Sequence, residues 1–373
     1  MNNALTTSSV VVGVDVHKFS HTAVALNCWG QERGRFEFSN DTLSEYAEWL
    51  AGLGQQKDIL VALEDVNSYG VHLVADLAKR GFFIRYVPAI LTERERKQST
   101  KRHKSDYVDA KRVGRVILTK YEETLPAKES IADEQELTIG KTLDLLLAER
   151  RDLVKGKTAL KNQLHALLHQ HYGDHYADEF PKAFHKRAIA FYLSDLARLQ
   201  EEGRTTAISR ALAASIARRL KRLCLVEAHI ASITGELTVV GNRSPQVIAL
   251  SESLHGCGLI TAASIMAEVV TIKRFHYKDQ FAMYSGTAPT ERSSGSKNRL
   301  YTNPFGNRLL NRSLHTVALS QISRRGHAEG KTYYQKKLLE GKTKLWGLRC
   351  LKRQIANQVF KILKETDKKQ IAE

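Results

Sequence analysis

A chain of 373 residues with 42% hydrophobic and 26% charged residues has the composition of an ordinary soluble globular protein, long enough for two or three domains. Its net charge of +17 predicts a polyanionic partner, and nucleic acid is the most common one. The sequence shows no signal peptide, no apolar stretch that approaches membrane-spanning length and no metal-type spacing of its four cysteines, so we expect a cytoplasmic protein with reduced core thiols and no membrane partner.

The first 120 residues alternate strand-like and helix-like patterns. Three strands come first, and helix, strand, helix, strand and a mostly charged helical stretch follow. The predicted strands are SSVVVGVDVH, HTAVALNC, GRFEFSN, DILVALEDV and FFIRYVP, and the predicted helices are NDTLSEYAEWLAGL, SYGVHLVADLAKRG and LTERERKQSTKRHKSDYVDAKRVGRVILTK. This order fits a ribonuclease-H-like α/β layer at least as well as a doubly wound sheet.

The middle of the chain has a helical period. Residues 121–134, YEETLPAKESIADE, are acidic and poor in apolar residues, and we predict a linker there. Beyond it, apolar residues recur every three or four positions from 139 to 167 and from 208 to 237, with a polar, His-rich stretch around 169–187 between them. This predicts two long amphipathic helices, which fit an antiparallel or intermolecular coiled coil and fit an ordinary bundle equally well.

The third region, from about residue 245 to 373, is helical and basic. Its segment SLHGCGLITAASIMAEV has a Gly-x-Gly step before a helix of small residues. Such a turn can offer backbone N–H groups to a phosphate. It can also be a tight turn between packed helices, which is the interpretation we favour for the motif by itself.

Four acidic residues stand at places where a metal site could form. Asp15 interrupts an apolar strand, and Glu64 ends another one, ILVALEDV. A bare charge among such neighbours is costly unless it meets a cation or a metal. Asp106 and Asp109 lie three residues apart, so on a helix both face one way. If the first and fourth strands are neighbours, the four carboxylates can converge and bind Mg²⁺ or Mn²⁺, and two such ions can clamp a phosphodiester.

Each acid also has a structural interpretation. Asp15 can pair with Lys18 or another base, and Asp65 competes with Glu64 for the role at the strand end. The two helical acids can form salt bridges with neighbouring basic residues. Those neighbours are Arg102, Lys104 and Arg112. Taken with the strand acids, the fold pattern and the charge, the metal interpretation is favoured.

A serine cluster lies in YSGTAPTERSSGSKNRL, residues 284–300. Ser293 and Ser294 lie between basic residues, and a serine hydroxyl in such surroundings can attack phosphorus while the cations offset charge on the phosphoryl oxygens. The flanking basic residues are Arg292, Lys297 and Arg299. On the residues alone, a flexible Gly/Ser loop that binds phosphate without chemistry is the favoured interpretation.

Five segments, in order along the chain, resemble the insertion-sequence transposases that carry an acidic DEDD tetrad in a RuvC-like domain and a serine in a C-terminal domain. These are GVDVHK, ALEDV, KSDYVDAKRV, GCGLITAASIMAEV, and FAMYSGTAPTERSSGSKNR with GNRLLNRSLHTVA after it. One departure is DVNSYG, which stands where many relatives have Thr-Gly. Members of that family are bridge-RNA-guided DNA recombinases.

The resemblance implies an α/β plus all-α architecture in three parts. Residues 1–125 are expected to form an RNase H/RuvC-like domain, 126–244 a long coiled-coil-like helical region, and 245–373 a helical serine transposase domain with a serine loop. It also implies DNA as substrate, a structured non-coding guide RNA as partner, and a homo-oligomer, a dimer that becomes a tetramer in the synapse. The protein would act at the bacterial nucleoid.

Carried over residue by residue, the resemblance makes Asp15, Glu64, Asp106 and Asp109 the tetrad and Ser294 the nucleophile. Ser293 is its competitor, whereas Tyr284 and Tyr301 are poorer candidates because the resemblance places neither at the reacting position. We expect basic residues near both motifs to contact nucleic acid. They are Lys18, Lys104, Arg112, Arg292, Lys297 and Arg299.

Three functions remain open on the sequence. The first is a transposase-recombinase that forms a covalent phosphoserine link to DNA. The second is a metal-dependent, structure-specific RuvC-like nuclease with water as nucleophile. The third is a binding module whose acids are salt bridges.

Overall fold

The computed structural model describes residues 5–64, 68–98, 105–178, 180, 182–201, 206–294, 297–303, 306–324 and 326–372. Contacts group the chain into two compact units, Met1–Gly140 together with Ser244–Glu373, and Lys141–Arg243. The finer predicted division at residues 125 and 244 stays a prediction. All four cysteines are free thiols, but only Cys257 is buried, so the expectation that all four lie in the core is wrong.

A six-stranded mixed sheet forms the centre of the N-terminal part. Its strands are β1 (Val10–Val16), β2 (His21–Asn27), β3 (Glu32–Phe38), β4 (Ile59–Leu63), β5 (Phe83–Tyr86) and β6 (Leu125–Pro126). Their order across the sheet is β3-β2-β1-β4-β5-β6. The meander β1–β3 is antiparallel, β1, β4 and β5 are parallel neighbours, and β6 pairs antiparallel with β5. The predicted strands and the predicted neighbourhood of the first and fourth strands are therefore present, and the sheet is consistent with an RNase H-like domain.

Helices cover both faces of this sheet. They are α1 (Leu43–Gly52), α2 (Val71–Lys79), α3 (Ala89–Gln98), α4 (Asp106–Lys120) and the short α5 (Lys128–Ile131). Alternate residues of β1 and β4 pack into two separate apolar clusters, one with α1 and α2 and one with α3 and α4. The near-continuous Val, Ile and Leu runs of these central strands follow from burial on both faces.

The predicted linker at 121–134 is wrong, because this segment closes the edge of the sheet. Leu125 and Ala127 are buried, and Leu125 pairs with Tyr86 of β5. Arg85 is also buried, and its guanidinium donates to the carbonyl oxygens of Tyr121 and Thr124 at 3.0 and 2.7 Å. Burial of Leu125 and Ala127 and the hydrogen bonds of Arg85 thus fix an acidic segment that its composition alone would place in solvent.

The second unit is helical. The chain forms α6 (Glu134–Tyr172), α7 (Lys186–Glu201) and α8 (Ala207–Gly241). Within the unit, α6 and α8 run antiparallel, with Lys161 Nζ 3.4 Å from Glu227 Oε1 and Arg150 Nε 3.1 Å from Thr234 Oγ1. Of the predicted alternatives, the antiparallel pairing within one chain is the one found, and α7 adds a third helix at one end.

Contrary to the sequence expectation, α8 is long and apolar enough, by length and composition, to cross a bilayer. Its Ile216, Leu220 and Leu223 are fully buried against α6 and α7. The apolar window as a whole is 17% buried, and a single helix of this kind is weak evidence for a membrane span.

The C-terminal part joins the first unit. Its elements are α9 (Pro245–Ser253), α10 (Leu259–Val269), α11 (Lys278–Tyr284), the hairpin β7 (Pro289–Ser294) and β8 (Lys297–Thr302), α12 (Arg308–Ile322), α13 (Ala328–Leu339) and α14 (Lys344–Ala372). Over most of the predicted serine loop, β7 and β8 pair antiparallel, and residues 295–296 lie outside the described residues.

The Gly-x-Gly step is a packing turn. Gly256 has φ +82°, and a Cβ built there would lie 2.9 Å from Ser320 of α12. A backbone in this region with so little space requires glycine. The turn between packed helices is therefore the interpretation that the contacts support.

Candidate active site

Two neighbouring strands bring the strand acids to one edge of the sheet. In the parallel ladder, Val14 of β1 pairs with Leu63 of β4, so Asp15 and Glu64 follow at the same level. Val14 and Leu63 both point into the core beneath α1 and α2. Because side chains alternate along a strand, the two acids face the other side of the sheet, where α3 and α4 lie.

A close backbone approach seats α4 on this edge. A Cβ added to Gly13 would lie 2.1 Å from the carbonyl oxygen of Ala110 and 2.4 Å from the amide nitrogen of Gly114. Only glycine at position 13 permits this contact between strand and helix. Ser105 caps the helix, its hydroxyl accepting from the Val108 N–H at 3.3 Å. The first turn, with Asp106 and Asp109, is thereby held beside the end of β1.

A histidine that we did not predict joins two of the acids. His17 Nε2 lies 3.2 Å from Asp15 Oδ2 and 3.3 Å from Asp106 Oδ1. The potential ligand atoms of these three residues all lie within 4.8 Å of one another. Within the described ranges, this is the group of His, Cys, Asp and Glu side chains close enough to hold one metal ion together. The position of His17, two residues beyond Asp15 on the same strand end, was the available sequence signal.

The other two acids are held by neighbours at the same edge. Asp109 Oδ1 accepts from Arg112 Nη1 at 2.6 Å, and the Arg112 side chain is only 6% exposed. The Thr92 hydroxyl of α3 donates to the Ala89 carbonyl at 2.9 Å and acts to lower the pKa of Glu64. The guanidinium of Arg112 thus faces a tetrad carboxylate inside the fold, and its predicted contact with nucleic acid stays a prediction.

Burial and the repulsion between carboxylates both raise the pKa values of the two strand acids, Asp15 and Glu64. Desolvation raises the pKa of Asp15, and the negative charges of Asp109 and Asp106 raise it further, against the opposing effect of His17. Desolvation likewise raises the pKa of Glu64, and Asp15 and Asp109 add to that rise against the Thr92 hydrogen bond. Carboxylates that perturb one another in this way lie within electrostatic range of a shared cation.

The donor set suits a divalent cation. Asp15 and Asp106 offer carboxylate oxygens, and His17 offers an imidazole nitrogen. Oxygen donors favour Mg²⁺ or Mn²⁺, and an imidazole is tolerated better by Mn²⁺. Burial, and then the other acids of the site, raise the pKa values of Asp15 and Glu64, and a bound cation would oppose both effects. The residues present therefore fit the metal that a DEDD-type domain usually takes.

The predicted nucleophile lies at the tip of the hairpin. Ser294 is the last residue of β7 and pairs with Lys297, and Ser293 pairs with Asn298. The side chains of 291–300 lie outside the described residues, as does Lys104. Those of Arg292, Lys297 and Arg299 therefore stay predicted contacts. Lys18 is exposed beside His17, with its Nζ 4.9 Å from the Phe19 ring centroid.

Asparagines that sequence reasoning missed clamp the base of the hairpin. The Asn307 N–H donates to the Tyr284 carbonyl at 2.7 Å, and its side-chain nitrogen donates to Glu268 Oε2 at 2.6 Å. Asn303, just after β8, donates to the Met283 carbonyl at 3.3 Å. These bonds fix where the hairpin leaves the helical part of the fold.

Replacing Gly13 with Ala is expected to displace α4 and to reduce metal-dependent DNA cleavage by about 10²-fold, the cost of misplacing reacting groups by roughly 1 Å. The added methyl meets backbone atoms that cannot rotate away. Gly52→Ala is the matched control, since nothing lies within 4 Å of a Cβ there. Nicking of supercoiled DNA with thermal melting checks both variants. Full cleavage by Gly13→Ala would contradict the role given to this contact.

Two protein-family models match this chain, one over the predicted acids and one over the predicted serine. The DEDD transposase model of the IS110 family matches residues 12–173, which include all four predicted acids. A second model, described as transposase IS116/IS110/IS902 family, matches residues 249–335, which include Ser294.

Two relatives agree with these matches. The insertion element IS110 uncharacterized 43.6 kDa protein of Streptomyces coelicolor is 25% identical over 390 aligned residues, which cover 95% of this chain and 94% of that protein. The transposase for insertion sequence element IS1111A of Coxiella burnetii is 30% identical over 163 residues, 42% of each chain. This chain belongs to the IS110 family of insertion-sequence transposases, enzymes that transfer phosphoryl groups on DNA.

Proposed function

We propose that this transposase cuts and rejoins DNA through a covalent phosphoserine at Ser294, assisted by a divalent cation held by the acidic site. The observation that carries the proposal is the convergence of Asp15, His17 and Asp106 at the sheet edge. Asp109 is close enough to raise the pKa of Asp15 and of Glu64. Separate elements, β1, β4 and α4, supply these side chains, so their meeting reflects the fold rather than a local run of acids.

The acids and His17 would hold the cation. When bound, the cation supplies a Lewis acid that offsets negative charge on phosphoryl oxygens. Arg112 orients the carboxylate of Asp109 through the bond described above. Positioned partners of this kind are what usually fix ligand geometry around a metal.

The covalent step transfers one phosphoryl group without loss of bond energy. The Ser294 hydroxyl attacks phosphorus, a P–Oγ bond forms, and the bond to the 3′ oxygen breaks. The proton released from the serine balances the one gained by the free 3′-hydroxyl. Religation reverses the step on a new 3′-hydroxyl, so strand exchange needs no external energy source. The first strand of the hairpin ends at Ser294, and Asn307 holds the base of the hairpin. This arrangement supports a role for Ser294 as the nucleophile.

The proposal has two further parts. The first is target choice by a structured guide RNA, and the second is assembly as a dimer, with a tetramer in the synapse. The charge of +17 supports binding to nucleic-acid backbones in general. The long pair α6–α8 supports assembly, because it leaves Leu145, Leu225 and Val239 exposed. Sequencing the RNA that co-purifies with the protein tests the first point.

Removal of divalent metal is expected to abolish nicking of a supercoiled donor plasmid and to leave DNA binding in place. The acidic site acts on the chemical step, whereas the basic surface supplies binding. The measurement compares wild-type protein with Mg²⁺ or Mn²⁺ against the same protein with a chelator. Nicking that persists in chelator would overturn the proposed role of the acids, and inertness under every condition would favour a binding module.

A further inference from the structure

A group of positive charges meets where α12 and α14 pack together. Lys352 Nζ of α14 bonds to Asn311 Oδ1 of α12 at 2.6 Å. Arg349 precedes Lys352 by three residues on α14, and Arg308 precedes Asn311 by three on α12, so both guanidiniums lie one helical turn from this bond. His315 of α12 faces the same place, since Lys352 acts on its charge as well. In the described part of the chain, no carboxylate is recorded within ion-pair distance of the three cations. Unpaired like charges in one place are unfavourable unless an anion joins them.

Lys352 is fixed rather than loose. It is partly buried, and its Nζ donates to Asn311 Oδ1 at 2.6 Å. Arg349 is held in turn over the Trp346 ring, 4.8 Å from the ring centroid. Burial and the two neighbouring guanidiniums lower the pKa of Lys352 to about 8. A surface lysine free to extend into water would avoid this cost, so the fold keeps the ammonium in an unfavourable place.

A hydrogen-bonded chain connects this group to the serine hairpin. Asn311, which accepts from Lys352, donates through Nδ2 to the Ser285 carbonyl oxygen at 2.7 Å. Ser285 begins the turn that leads into β7, and Gly286 of that turn is so close to Gly306 that a Cβ on Gly306 would lie 2.2 Å from its Cα. The cations therefore lie against the base of the hairpin that carries Ser294.

We propose that Arg308, Arg349 and Lys352 bind one phosphate of the DNA substrate at the base of the β7–β8 hairpin. The proposal rests on the proposed function, since the hairpin is taken to carry the DNA nucleophile. Six strand residues at roughly 3.3 Å each separate the base from Ser294. At roughly 20 Å from Ser294, the phosphate bound here lies several nucleotides from the scissile one, since one strand of DNA rises about 3.4 Å per nucleotide. The site therefore positions the strand rather than taking part in the chemistry.

DNA binding should take up a proton near pH 8–9 through this site. A phosphate favours the charged form of Lys352, so binding raises a pKa that is about 8 in the free protein. Affinity should fall as the pH rises above this value. The other charged groups nearby are the two guanidiniums, His315 and Arg353, and Arg353 is paired with Asp279 of α11. Burial and the charge of Lys352 lower the pKa of His315, so its imidazole is expected to stay neutral between pH 8 and 9.

The test measures affinity for a short DNA duplex against salt concentration for wild type, Lys352→Met, Lys352→Arg and the control Lys361→Met. Each phosphate contact contributes about 0.9 to the slope of log affinity against log salt. We expect Lys352→Met to lower the slope by about 0.9 and to abolish the dependence on pH between 8 and 9. Lys352→Arg should keep the slope. Lys361, exposed on the same helix and paired with Glu365, should not affect it.

The melting temperature of each variant separates a loss of DNA binding from a loss of folding. Because Lys352→Met removes an unpaired, partly buried charge, its melting temperature should equal or exceed that of wild type. An unchanged salt slope in Lys352→Met would overturn the inference, even if wild type forms a serine adduct. A slope that falls for a structured RNA but not for DNA would overturn it as well. A lowered DNA slope in a protein that forms no adduct would instead support the site and contradict the proposed function.

Discussion

Asp15→Asn is expected to abolish DNA cleavage, by at least about 10³-fold, and to stabilise the metal-free protein at neutral pH. Asparagine keeps the shape and an oxygen that can still face His17, but it removes the charge that a divalent cation needs. It also relieves the repulsion from Asp106 and Asp109 that raises the pKa of Asp15. Loss of activity with a gain of stability is the signature of a functional charge cluster, whereas a structural salt bridge would lose both.

The pH dependence has a definite sign. The pKa values of Asp15 and Glu64 are raised in the folded chain, first by desolvation. Their contribution to stability is therefore fully present below the ordinary value of 3.8 for Asp15 and is lost as the pH rises through the raised values. Lowering the pH from 7 should narrow the stability difference between Asp15→Asn and wild type. Adding Mg²⁺ or Mn²⁺ should stabilise wild type and not the variant.

Thermal melting over a pH series, with and without metal, checks these expectations beside a plasmid-nicking assay. Asp76→Asn is the control, because Asp76 forms a partly exposed ion pair with Arg80 on α2, away from the acidic site. Wild-type cleavage by Asp15→Asn would contradict the metal site. Destabilisation at neutral pH without metal would favour a salt bridge over a ligand.

Ser294→Ala is expected to stop recombination and to prevent any covalent protein–DNA link, with a loss of at least about 10³-fold. Water cannot replace the serine in strand exchange, because hydrolysis releases the energy that religation needs. DNA binding should be unchanged, since one hydroxyl adds little to the affinity set by many basic residues.

Ser293→Ala is the matched control, one residue earlier in β7. The proposal assigns the attack to Ser294, the serine directly before Gly295. We expect Ser293→Ala to keep recombination. If cleavage survives in Ser294→Ala and no adduct forms with wild type, a hydrolytic nuclease that uses water would replace the recombinase.

The strand acids were predictable because charge on a buried strand is costly and therefore informative. Asp15 and Glu64 needed only the order of strands to become neighbours, and β1 and β4 are indeed adjacent. His17 was missed because a histidine beside an acid has no diagnostic spacing. Gly13 was missed because its contact with Gly114 joins residues a hundred positions apart, and no local pattern contains it.

Three other features were not predicted for the same reason: each depends on contacts that no local sequence pattern contains. The edge strand β6 is two residues long, too short for a period, and it is held by Arg85 from another strand. The serine segment looked like a loop because of its Gly and Ser content, yet its flanks pair in register. Lys352 is one of many lysines in a basic helix, and only its neighbours on α12 distinguish it.

The most direct test of the covalent mechanism is peptide mapping by mass spectrometry of wild-type protein trapped on a supercoiled donor plasmid with Mg²⁺. After nuclease digestion, we expect a nucleotide attached through phosphate to Ser294, absent in chelator and absent in Asp15→Asn. A nucleotide on Ser293, on Tyr301 or on no residue while cleavage proceeds would contradict it.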